Sequence, residues 1–346
     1  MPRLDRSRQV TGGVDTHLEL HMAAALDPLG GLLGVEQFPA TRAGHSALVR
    51  WLSNFGTVAR VGVEGTGSYG AGLARHLRAS GVEVLEVDRP NRQSRRRTGK
   101  SDPADAVEAA RAALSGRAQG AGKTRDGNVE AIRALLVAKR SCRSAKIKSM
   151  NQIRHLGFTA SDDLRERFEG VSKRCLAKEA ASMRPRAGSD PVAVATKTAL
   201  VVLGKRVLAL DEEKKQLNGF LKELVEKTAP GLCSLYGVGV DSAASLLVAA
   251  GDNPERIKSE SSWAHLCGVA PIQASSGKVT RYRLNRGGDR QANAALWVIV
   301  LTRMGSDPRT RAYVERRTKE GLSKGEVMRI LKRYVAREVF KYLPRA

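Results

Sequence analysis

The chain has 346 residues, of which 42% are hydrophobic. That is long enough for two or three domains with cores of their own and too apolar for a disordered chain. Its 59 Lys and Arg against 35 Asp and Glu leave a formal net charge of +24, which points to a polyanionic partner, with nucleic acid first and an anionic membrane surface second.

Aromatic residues are only 4% of the chain, so a broad base-stacking surface is not its obvious device. The longest uncharged apolar run, "QANAALWVIVLT" (291–302), falls short of the ~20 residues that span a bilayer. The start, "MPRLDRSRQV", lacks the apolar core of a signal peptide. Cys142, Cys175, Cys233 and Cys267 are scattered without a C-x-x-C pair, which argues against a zinc site and against a disulfide framework. The expectation is a cytoplasmic, nucleic-acid-associated protein with no membrane anchor. Any metal would rest on oxygen ligands, because the histidines are as dispersed as the cysteines.

In chain order, residues 8–17, 18–27 and 31–40 read as three neighbouring strands, and 42–54 as a helix on the spacing of Leu48, Val49 and Leu52. "VARVGVEG" (58–65) is a short buried strand bounded by glycines, 68–80 a helix, 81–88 a further strand and 102–115 a helix. This alternation describes a mixed α/β domain over 8–120. From about 126 the texture changes to long helical stretches, 127–157 and 191–228, the second with Val207, Leu210, Leu217, Leu221 and Leu224 at helical-seam spacing. Joined by a more irregular 158–190, they make either an antiparallel coiled-coil arm over 126–228 or two ordinary core helices. The remainder, 229–346, reads as mainly helical and strongly basic.

The carboxylates carry the chemistry. Asp15 ends the first strand and Glu64 the later one; if those strands are neighbours, the two side chains project together. "GKSDPADA" (99–106) then opens a helix with Asp102 and Asp105 one turn apart. Ser101 or Asp102 as the cap, Pro103 in the first turn and Asp105 on the helix dipole account for that stretch without chemistry. Alone, each acid is best read as structural. Together, four carboxylates repel unless a cation binds, and with two Mg²⁺ ions they form a clamp for a phosphodiester. The basic run 89–100, with Arg89, Arg92, Arg95, Arg96, Arg97 and Lys100, would hold the nucleic-acid backbone beside them.

"GVDTH", "VEGTGSYG" and "RTGKSDPADA" resemble the N-terminal motifs of transposases of the IS110 type, and the resemblance spans nearly the whole chain. It implies an α/β RNase H-like (RuvC-like) N-terminal domain with Asp15, Glu64, Asp102 and Asp105 as its acidic tetrad and a mainly α C-terminal transposase domain, with the long helices of 126–228, as a helical coiled-coil arm or as core helices, between them. It also implies DNA element ends and target as substrates, a structured non-coding guide RNA as partner, and a covalent serine step. The glycines of "EGTGSYG" (64–70) lack the Lys-Ser/Thr ending of a P-loop, so a tight turn is favoured there over an ATPase phosphate loop.

In the C-terminal part, Gly237 and Gly239 of "LYGVGVDSAASLL" have helix-hairpin-helix spacing, which lets backbone N–H groups approach a phosphate; a plain helix–helix turn is the alternative. "ASSG" (274–277) reads by itself as a turn. By the resemblance it is the serine motif, with Ser275 or Ser276 as nucleophile and Lys278, Arg281, Arg283, Arg286 and Arg290 neutralising phosphate. Because acids and serines lie in different regions, the site must be assembled by folding or by oligomerisation. A homo-oligomer (dimer or tetramer) is expected, and a coiled-coil arm offers a way for one subunit to lend its serine to another's acids. Two competing readings remain: a RuvC-like metal nuclease that needs neither serine, and a non-catalytic nucleic-acid-binding protein with steep salt dependence.

Overall fold

The computed structural model describes residues 8–87, 101–118, 120–185 and 190–344. Arg89, Arg92, Arg95, Arg96, Arg97 and Lys100 lie outside the described residues. Contacts gather the chain into two units, the first from Met1–Gly127 with Ala250–Ser259, the second from Asn128–Ala249 with Glu260–Pro344.

The first unit is built on a mixed sheet, as the alternation of elements leads one to expect. Strands β1 (Gln9–Thr16), β2 (Leu20–Leu26) and β3 (Leu32–Pro39) run antiparallel; β4 (Thr57–Glu64) and β5 (Glu83–Val87) run parallel to β1, and the short β6 (Gly120–Ala121) returns antiparallel, giving the order β3-β2-β1-β4-β5-β6. On one face lie α1 (Arg42–Ser53) and α2 (Ala71–Ala79), whose Leu48, Leu52, Leu73 and Leu77 pack on Val10, Val14, Val61 and Val63. On the other lies α3 (Asp102–Leu114), the alanine-rich helix, with Ala106, Ala109, Ala110 and Ala113 buried. It approaches so closely that a Cβ on Gly13 would stand 2.0 Å from the Ala110 nitrogen, and one on Gly62 2.5 Å from the Ala109 carbonyl oxygen. Bare backbone in the sheet and small side chains on the helix are two halves of one contact.

The α1/α2 face also holds a stack of imidazoles. His21 on β2 is fully buried, its Nε2 is 3.3 Å from that of His45 on α1, and their rings stack with centroids 5.4 Å apart. His76 on α2 lies beside the pair, its ring tilted 47° to that of His45 with centroids 5.9 Å apart. Burial, then the neighbouring His45, pushes His21 down to about 4, and burial lowers His45 as well. At His21 the unfolded chain therefore takes up a proton near pH 6.5 that the folded chain refuses until about pH 4. Stability should be full above pH 6.5 and fall across that window, by up to roughly 3 kcal/mol from His21. Thermal melts at stepped pH check this, and His21→Leu should flatten the acid limb.

In the second unit, α4 (Asn128–Phe158) and α7 (Pro191–Thr228) lie antiparallel. Lys146 Nζ reaches Asp211 at 2.6 and 2.7 Å, Cys142 Sγ donates to Glu213 at 3.3 Å, and the buried Lys139 donates to Asn218 at 2.7 Å and pairs with Asp241. The connection expected to be irregular contains two short helices, α5 (Asp162–Phe168) and α6 (Leu176–Ser182). They cover Ile153, Leu200 and Val207, and α6 crosses α7 at Gly204, where a Cβ would stand 2.5 Å from the Ala181 nitrogen. Beyond come α8 (Val240–Ala250), α9 (Glu260–Leu266), a hairpin of β7 (Ile272–Gln273) with β8 (Tyr282–Arg283), and the helices α10 (Arg290–Ser306), α11 (Pro308–Lys319) and α12 (Lys324–Phe340). Among the described residues no helix is long and apolar enough to cross a membrane.

Candidate active site

Strand register brings the first two acids together. β1 and β4 pair in parallel with Gly13 beside Gly62 and Val14 beside Val63. One residue further, Asp15 and Glu64 stand side by side, on the α3 face because side chains alternate and the glycines two residues back lie under α3. The Thr16 hydroxyl donates to the Glu64 carbonyl at 2.8 Å and ties the two strand ends.

Helix α3 begins over these strand ends. Ser101 occupies the N-cap position, but its side chain makes no capping hydrogen bond, and Asp102 is already the first helical residue. The capping role expected for Ser101 or Asp102 is thus not taken by a side chain. Instead the Asp102 carboxylate faces His17, with Oδ1 3.6 Å from Nε2, and the same nitrogen lies 3.2 Å from Asp15 Oδ2. One ligand atom each from Asp15, His17 and Asp102 falls within 4.8 Å of the others. Asp105, a turn into the helix and buried, is close enough to act on Asp15 electrostatically. Burial is the main cause that drives the Asp15 carboxyl above its ordinary value; His17 pulls it down, and Asp105 and Asp102 push it up again.

His17 was not anticipated from sequence. The signal was available: in "VDTH" the histidine stands two residues after the strand-end aspartate, which returns it to the same face. The donor set of clustered carboxylates with one imidazole suits a hard divalent cation such as Mg²⁺ or Mn²⁺. A carboxylate buried beside two others, with a half-exposed histidine as the cation that faces it among the described residues, fits a site completed by such an ion.

The glycine loop after Glu64 turns two of its amides inward. Ser68 and Gly70 N–H groups donate to the Gly65 carbonyl at 2.8 and 3.2 Å, with Gly65 at φ +71°, so the loop is a tight turn into α2.

The serines lie in the second unit, at the end of the β7–β8 hairpin. Ser275 Oγ accepts from the Arg281 backbone N–H at 3.1 Å and from Gln273 at 3.3 Å; Ser276 pairs with Val279 through the backbone, and Gly277 turns the chain at φ +55°. Both serines are exposed, as are Lys278, Arg281 and Arg283 around them and Arg286 and Arg290 beyond. Gly237 has φ +78° and packs against α10, where Arg303 Nε donates to the Tyr236 carbonyl at 2.8 Å; Gly239, ahead of α8, has open space around its Cα.

Comparison with known proteins matches both units. Residues 12–156 match a DEDD transposase family model of IS110 type, and residues 229–315 match the model of the IS116/IS110/IS902 transposase family. The chain is 33% identical over 122 residues to the uncharacterized 43.6 kDa protein of insertion element IS110 from Streptomyces coelicolor, covering 34% of this chain and 30% of that one. It is 29% identical over 127 residues to the uncharacterized 42 kDa protein of insertion element IS900 from Mycobacterium paratuberculosis, covering 36% and 32%. The aligned stretch thus spans about a third of these relatives' length.

Proposed function

We propose that this chain, which belongs to the IS110 family of transposases, cuts and rejoins the DNA of an insertion sequence, with its sheet unit as a RuvC-like nuclease centre and its hairpin serine as the nucleophile. The observation that carries the reading is the convergence of α3's first turn on the end of β1, where Asp102 and Asp105 join Asp15, with Glu64 on the neighbouring strand. The helix dipole accounts for Asp102 and Asp105 taken singly, but not for their meeting Asp15, since each charge raises the cost of ionising the others.

Asp15, Glu64, Asp102 and Asp105 would hold two Mg²⁺ ions, with His17 positioned by the first and third. When bound, the metal neutralises phosphate charge and stabilises the departing oxygen. The chain's own residues do the rest. One serine hydroxyl, Ser275 or Ser276, loses its proton and attacks phosphorus. A serine–phosphate ester forms as a phosphodiester P–O bond breaks, and the leaving strand end takes up a proton as a hydroxyl. Attack by another strand's hydroxyl reverses the step, so one ester replaces another and no nucleotide hydrolysis is required. Lys278, Arg281 and Arg283 lie around the hairpin and would bind the phosphates flanking the reacting one. The glycines at 237 and 239, the basic run 89–100 and the paired helices α4 and α7 are assigned to nucleic-acid binding and to joining subunits. A structured RNA made by the element completes the proposal.

The test is strand transfer on supercoiled DNA carrying the element's ends, with flanking RNA and Mg²⁺, scored for protein covalently attached to DNA. The adduct should vanish in Asp102→Ala and in one of Ser275→Ala and Ser276→Ala. Cutting without an adduct, retained in both serine variants, would make the protein a metal nuclease. Mixing an acid-dead subunit with a serine-dead one should restore activity if subunits share sites.

A further inference from the structure

Beside the hairpin, between the loop 285–288 and α10, is a pocket of about 500 Å³. From α10 it receives Arg290, Asn293, Ala294 and Trp297, which recur at threes and fours and so occupy one helix face. Arg286 stands on the opposite wall. The wall is held tightly: a Cβ on Gly288 would lie 2.3 Å from the Gly268 nitrogen, and the Asp289 N–H donates to the Leu266 carbonyl at 2.6 Å.

The two amides in the pocket are already committed. Asn293 donates to the Cys267 carbonyl at 2.8 Å and accepts from Lys332 at 2.9 Å, while Asn285 donates to the His265 carbonyl at 2.9 Å and accepts from the Gly287 N–H at 3.0 Å. What remains to meet a ligand is different in kind. Trp297 is 45% exposed, whereas Trp263 is fully buried and Trp51 half-buried. Arg286 and Arg290 are exposed and, among the described residues, have no hydrogen-bond or ion-pair partner. An exposed indole and two uncommitted guanidiniums lining one pocket are the equipment for a flat base with its flanking phosphates.

We infer that this pocket binds one unpaired nucleotide of a nucleic-acid strand, the base stacked on Trp297 and the flanking phosphates on Arg286 and Arg290. The inference rests on the nucleic-acid reading above and adds to it a place where the duplex must be open. Because the amides that read base edges are spent on the fold, the pocket takes any base. That also fits a chain poor in aromatics, since a single exposed tryptophan suffices for one base.

The experiment uses the full chain in chelator, so that no strand is cut, and titrates a short single-stranded DNA, the same sequence as RNA, and the corresponding duplex. Tryptophan emission should be quenched by the single strands. Trp297→Ala should weaken single-strand binding by roughly tenfold or more, Trp297→Phe much less, and duplex binding should stay as in wild type. Changing the sequence should leave the loss the same, and Arg290→Gln should lower the salt slope by about one. The DNA and RNA arms tell which strand the pocket prefers. If Trp297→Ala binds single strands as wild type does, or loses duplex equally, the pocket assignment falls while the transposase reading stands. If wild type binds neither single strand nor duplex, both fall.

Discussion

Replacing Asp15 by asparagine should abolish metal-dependent strand transfer and, in chelator, raise the melting temperature. On the proposed function, the loss of activity follows from removing the charge of a buried carboxylate at the meeting point of α3 and β1, and should be at least ~10²–10³-fold. The gain in stability follows from the same burial. Asp15 sits above its ordinary carboxyl value because burial and the charges of Asp105 and Asp102 outweigh the pull of His17. The folded state therefore binds that proton more tightly than the unfolded chain does. Its contribution is fullest below the ordinary value of 3.8 and is lost as pH rises through the raised one, so at neutral pH the charge works against folding. Asparagine keeps the shape and removes the charge. A cation acts in the opposite direction: at a hundredfold excess over its Kd it stabilises wild type by roughly 2.7 kcal/mol, and Asp15→Asn should lose most of this response. Asp102→Asn separates the effects, because its half-exposed side chain carries little burial cost. It should lose activity with little change in metal-free stability. Melts with and without Mg²⁺, run beside the transfer assay, decide it. An Asp15→Asn protein less stable than wild type in chelator would mean that its carboxylate is structural.

Much of this site is written in two short triplets. Gly13-Val14-Asp15 and Gly62-Val63-Glu64 have one pattern, a glycine that admits the helix, a valine for the opposite core and an acid at the strand end, and the register sets them side by side. Each triplet is local, so the acids and the strands that bear them are legible in the sequence. The pairing between them is not, because nothing local says that β4 lies next to β1. His17 escaped because attention to carboxylates passes over the residue two places on. The short helices α5 and α6 escaped for another reason: seven residues each, they owe their form to packing on α4 and α7, as at Gly204. Gly237 reads as a phosphate-binding glycine, yet its left-handed φ also serves contact with α10, a partner some sixty residues away along the chain. The pocket at Trp297 was invisible for want of the same long-range information, since its walls meet only when the loop 285–288 folds onto Gly268.

Gly13→Ala should unfold or badly loosen the sheet unit, although it adds one methyl group. Its Cβ would stand 2.0 Å from the Ala110 nitrogen, 2.3 Å from the Ala106 carbonyl oxygen and 2.6 Å from the Ala110 Cα, all backbone atoms that no rotamer change can move aside. Either α3 lifts from β1 or β1 leaves its register, and both spoil a contact that buries a row of alanines. A cost of roughly 3 kcal/mol is expected, at the high end of overpacking. The displacement would also carry Asp102 and Asp105 away from Asp15, so activity should fall further than the folded fraction alone predicts. Gly219→Ala is the control. It lies at an exposed position of α7 with nothing within 4 Å of the added Cβ, and alanine there should stabilise the chain by about 0.5–1 kcal/mol. Paired denaturant titrations read both. If Gly13→Ala melts like wild type and keeps its response to Mg²⁺, then α3 does not ride on β1 as closely as the glycine requires. The convergence of acids that supports the catalytic reading would then lose its structural basis.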